Sequence, residues 1–64
     1  MIQVTRLNGK TLIVNAELIR FVEQTPDTLI TLSGGEKLLV KEPMEEVVRR
    51  AIQYARSIRS NFNS

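Results

Sequence analysis

The chain contains no cysteine and no histidine. Without thiols there are no disulfides, no thiolate metal ligands and no cysteine nucleophile; without imidazole the commonest general base and zinc ligand is gone as well. A zinc site would have to be all carboxylate. Long apolar runs are also missing, since none approaches the ~20 residues that cross a bilayer. The opening Met1-Ile2-Gln3-Val4-Thr5-Arg6 has no signal-peptide core and already alternates like a strand. The expected location is the cytoplasm, with no membrane insertion. No charge of one sign dominates: nine Lys and Arg against seven Asp and Glu leave +2, and the pI of about 9.5 reflects near balance without histidine. A nucleic-acid binder more often shows a basic stripe, and a polybasic membrane anchor a cluster.

What remains is 64 residues, room for one domain (1–59) with a thin core and a polar tail (60–64). A chain of this size buries only about 60% of the surface its unfolded form exposes. Disulfides and the usual metals being excluded, self-association as a dimer or trimer is the expected support.

Alternation predicts strands over Ile2–Leu7, Lys10–Val14, Leu18–Gln24, Thr28–Leu32 and Glu36–Lys41. Asn8-Gly9 joins the first two, where a type I′ turn accepts φ > 0 at both residues. Asn15 suits the cap of a single helical turn at Asn15-Ala16-Glu17. In the third strand Ile19 and Phe21 fall on one side, Leu18 and Val22 on the other. Pro26-Asp27 punctuates the next turn, and Ser33-Gly34-Gly35 closes the last hairpin. Ile13, Val22, Leu32 and Leu39 cannot all join Leu12, Phe21, Leu29 and Val40 on one face of a flat sheet. They are the candidate self-association residues, unless strong curvature seals them in a small barrel.

From Pro43 the period changes to 3.6. Met44, Val47, Val48, Ala51, Ile52, Ala55 and Ile58 form one apolar stripe of an amphipathic helix. Pro43 suits its first position. Glu45 and Glu46 at the start and Arg56 and Arg59 near the end oppose the macrodipole, and Glu45–Arg49 and Glu46–Arg50 are i,i+4 pairs. This pattern puts Val48 and Ile52 in the core, where a charge prevents folding. The fold class is α+β: an antiparallel meander of about five strands, curved or barrel-like, with one C-terminal helix.

Chemistry finds little purchase. Glu45-Glu46 reads as acid at a helix N-terminus. Ser33-Gly34-Gly35 precedes a strand, where phosphate loops precede a helix. The sequence predicts no enzyme, no catalytic residue, no cofactor and no metal. Arg49, Arg50 and Arg56 lie on or near the polar side of the helix with Tyr54 among them, and Phe62 also falls off the apolar stripe. These five are the candidate protein-interaction residues, because Arg and aromatics often anchor interfaces. A nucleic-acid contact through Arg6, Arg20 or the helix arginines is the lesser reading, since no stacking aromatics are expected on a strand face.

Taken together, Val4-Thr5-Arg6-Leu7-Asn8-Gly9-Lys10, Val14-Asn15-Ala16-Glu17-Leu18-Ile19, Thr25-Pro26-Asp27-Thr28 with Ile30-Thr31-Leu32, then Lys41-Glu42 and Glu45-Glu46-Val47 before a closing helix, resemble the small flagellar proteins of the FlbD family, called SwrD where linked to swarming. The resemblance runs to about Ile58. Pro43 departs from it, since the family often has a small capping residue there. The resemblance implies a cytoplasmic, non-enzymatic protein that supports swarming by raising flagellar motor output, through the motor or its stator units. It supplies no catalytic residue to carry over. The alternative it leaves is a small nucleic-acid-binding regulator of flagellar gene expression.

Overall fold

The computed structural model describes the backbone of residues 1–63 and the side chains of residues 1–58. Strands β1 (Ile2–Thr5) and β2 (Thr11–Val14) form one antiparallel sheet; β3 (Ile19–Gln24), β4 (Thr28–Leu32) and β5 (Lys37–Val40) form a second, in that order. Helix α1 (Met44–Asn63) follows. The expected tail thus overlaps the end of the helix, and its side chains lie outside the described residues.

Consecutive strands pair antiparallel in both sheets, and two of the three hairpin loops, β1–β2 and β4–β5, are the same device. Arg6 C=O accepts Gly9 N–H at 2.9 Å and Arg6 N–H donates to Lys10 C=O at 2.8 Å; Leu32, Gly35 and Glu36 repeat the pattern at 2.9 and 2.8 Å. Each is a four-residue turn closed by a glycine with positive φ, 92° at Gly9 and 94° at Gly35. Asn8 keeps negative φ, so the expected type I′ turn gives way to a three-residue loop, which needs only one left-handed position. Asn15 caps the 3-10 turn Ala16–Leu18 by accepting Glu17 N–H, as its position predicts.

The sheets do not close into a barrel. They are stitched at one point, an antiparallel bridge between Arg6 and Val40, beside which Lys41 N–H donates to Thr5 C=O at 2.8 Å. The wedge between them holds the core: Ile2, Val4, Val14, Ile30, Val40 and, from α1, Val47. Val22 and Leu32 pack against this cluster. They face inward because the register pairs Val22 with Ile30 and shifts between Ile19 and Phe21, leaving Arg20 as an extra residue in β3. That bulge puts Ile19 and Val22 on the core side and turns Phe21 outward, against the alternation expected for this strand.

The helix start also differs. Val47 N–H reaches Pro43 C=O at 3.2 Å, so Pro43 is the cap and Met44 the first helical residue. Proline offers no capping side chain. Gln24, at the end of β3, supplies one: its Oε1 accepts Met44 N–H at 2.8 Å.

Candidate functional site

An α-helix turns about 100° per residue, so the seven-residue apolar stripe, with Tyr54 added to it, is two seams side by side. Met44, Val47, Ala51, Tyr54 and Ile58 lie along the inner one, with Val47 fully buried and Tyr54 packed on the core. Val48, Ile52 and Ala55 lie along the outer one, Val48 at 42% exposure and Ile52 at 47%. The placement of Val48 and Ile52 in the core is therefore corrected, as is that of Tyr54 on the polar side. The physical reason is width: the wedge between two small sheets receives one ridge of side chains, and the second ridge is left in solvent. There it floors a shallow groove of about 410 Å³ edged by Glu45, Arg49, Gln53 and Arg56.

The candidate arginines divide in the same way. Glu46 accepts Arg49 Nε at 2.9 Å and Nη2 at 2.6 Å, and Arg50 Nε at 2.6 Å. The bonds from Arg49, then those from Arg50, hold the Glu46 carboxyl down at about 2. Arg50 Nη1 also donates to Gln3 C=O at 2.7 Å and lies 3.4 Å from Glu42 Oε2. Glu42 in turn accepts Thr5 N–H at 2.9 Å and the Thr5 hydroxyl at 2.8 Å. Burial pushes the Glu42 carboxyl up, but the two Thr5 hydrogen bonds, with smaller help from its own backbone and Arg50, outweigh it and leave it below its ordinary value. Arg50 is thus a tie from α1 to β1 and to the segment entering the helix. Arg49 is exposed but already paired, and Arg56 stands exposed at the groove's edge. Phe62 lies outside the described side chains.

On the strands, Leu39 at 47% and Ile13 at 60% face solvent, while Val22 and Leu32 are half-buried against the core. Register places Leu29 between Glu23 and Leu39, and Thr31 between Phe21 and Lys37, on the outer face of the three-stranded sheet. Phe21 is 57% exposed there, with the Arg20 guanidinium carbon 5.2 Å from its ring centre. An aromatic on a strand face is what the sequence reading did not expect. The signal was present: Ile19 and Val22, three apart, share a face only if the strand is bulged.

Fold and surface define a small α+β domain in which Glu42, just before the helix, and Glu46, on it, serve internal ties, and which carries apolar ridges on the outside of both helix and sheet. Its relationship is equally plain. The chain belongs to the FlbD family of flagellar and swarming motility proteins, whose model matches residues 1–59. No curated protein matches it, and no solved structure does. Among the described residues no helix is long and apolar enough to cross a membrane.

Proposed function

We propose that this protein is a non-enzymatic accessory of the flagellum that supports swarming by raising motor output, through contact with a motor or stator protein at the cytoplasmic side. Family membership supplies the setting. The observation that carries the contact is the outer sheet face, where Phe21 under Arg20, half-buried Leu29 and exposed Leu39 lie on adjoining strands. An exposed aromatic beside arginine and aliphatics is the composition of an interface anchor, because the ring and aliphatic carbons lose ordered water on docking and the guanidinium lies over the ring. Glu42 and Glu46 are held as ionised acceptors, which suits fixed structural roles better than proton transfer.

Deleting the gene and measuring swarming and single-motor torque tests this reading. Torque falls in the deletion and returns with the wild-type chain. It stays low with Phe21→Ser plus Leu39→Ser, whose thermal melt stays close to wild type. Unchanged torque in the deletion removes the proposal. A fall in flagellar transcripts with torque per motor unchanged replaces it with the regulator of gene expression.

A further inference from the structure

We infer that the outer seam of α1 is a self-association surface on which two copies of this chain pair, antiparallel and related by a two-fold axis near Arg50–Ala51. Glu45, Val48, Ile52 and Ala55 recur at intervals of three, four and three, the spacing of a helix–helix seam. This seam is separate from the inner one that binds the sheets, so occupying it disturbs no contact within the domain.

The charges select both the occupant and its direction. Glu45 lies at one end of the groove and Arg56 three turns on, about 16 Å along the axis. When Val48 of one copy meets Ile52 of the other in antiparallel register, Glu45 falls opposite Ala55 with Arg56 beside it, at both ends. The alanine leaves room for the glutamate to reach the arginine. A parallel pair sets Glu45 on Glu45 and Arg56 on Arg56, like charge on like. Arg49 alone meets its own counterpart near the axis, and Glu46 already neutralises it through two hydrogen bonds.

The shape agrees. The chain exposes 4618 Å², against about 4,200 Å² for a compact chain of this mass. The molecule measures 40 × 22 × 18 Å, drawn out in one direction. A 20-residue helix is about 30 Å long, more than four- to six-residue strands cover. Pairing through α1 leaves Phe21 and Leu39 free, so this inference does not rest on the motor reading.

Sedimentation equilibrium of the full chain tests it, with circular dichroism confirming that each variant is folded. Wild type is a monomer–dimer equilibrium, and Ile52→Ser shifts it to monomer. Glu45→Arg and Arg56→Glu alone each weaken self-association roughly tenfold, because each places like charges at both ends. Mixed in equal amounts, these two variants form a heterodimer, because every end then carries opposite charges. Since the chain has no cysteine, mixing Val48→Cys with Ile52→Cys and oxidising gives mainly the mixed disulfide in an antiparallel pair. A parallel pair gives the two self-linked products instead. Wild type that is monomeric at every concentration, a trimer, or a dimer indifferent to Ile52→Ser and to both charge reversals overturns the inference.

Discussion

Val47 and Val48 are neighbours in sequence, identical in side chain, and sit in different surroundings, which makes them a sharp test of the two-seam helix. Val47→Ala removes two fully buried carbons, about 1.6 kcal/mol of transfer at ~0.8 kcal/mol per methylene. The cavity left between the sheets brings the loss to about 2–3 kcal/mol. Val48 is 42% exposed, so little more than half of the transfer loss applies and water fills the space, about 1 kcal/mol or less. The helix-propensity gain from Val to Ala is common to both and cancels in the difference. The variants therefore differ by about 2 kcal/mol, a large share of the roughly 3–10 kcal/mol that a chain of this length has in all. At about 4–8 °C per kcal/mol for so small a domain, their melting temperatures lie roughly 10 °C apart. Thermal melts followed by circular dichroism measure this, at a dilution where sedimentation shows monomer so that pairing through Val48 does not contribute. Equal losses, or a greater loss at Val48, refute the placement of the helix.

Three further outcomes are expected. Glu46 is held at about 2 in the folded chain against 4.5 ordinarily, so its contribution to stability is fully present above pH 4.5 and lost as the pH falls toward 2; Glu46→Gln is less stable than wild type at pH 6 and converges with it near pH 2 in urea titrations, and parallel curves contradict this. Gln24→Ala strips the cap from Met44 N–H, costing about 1 kcal/mol, and amide exchange speeds up at Met44 before any change in the mid-helix; unaltered exchange at Met44 contradicts the cap. Gly35→Ala costs about 1–2 kcal/mol because its φ is +94°, whereas Gly34→Ala costs less, since only the mobile end of Glu36 has to move aside; the reverse order in denaturant midpoints contradicts the loop geometry.

Much of the architecture was legible because it is local. Gly9 and Gly35 sit where a hairpin loop needs one left-handed residue, and Asn15 sits where a short turn needs a cap. The flanking strands alternate over four to six residues, and Pro43 to Ile58 carries a helical period. The candidate interaction residues were read less well. Helical position alone put Arg50 and Tyr54 outside, yet Arg50 finds Gln3 forty-seven residues away and Tyr54 joins the core. Simple alternation carried through Arg20 pairs Phe21 with Ile19 on one side, whereas the bulge there puts Val22 with Ile19 instead.

By itself the sequence determined the elements, their order, their hairpin turns and the family, since each is written in residues a few positions apart. Tertiary structure alone decided which ridge of α1 is covered, which arginine becomes a tie, and that Gln24 caps a helix twenty residues downstream. Those outcomes depend on how wide a wedge two sheets joined at one bridge leave open. No periodicity along the chain measures that gap, because it is set by strands that meet only after folding.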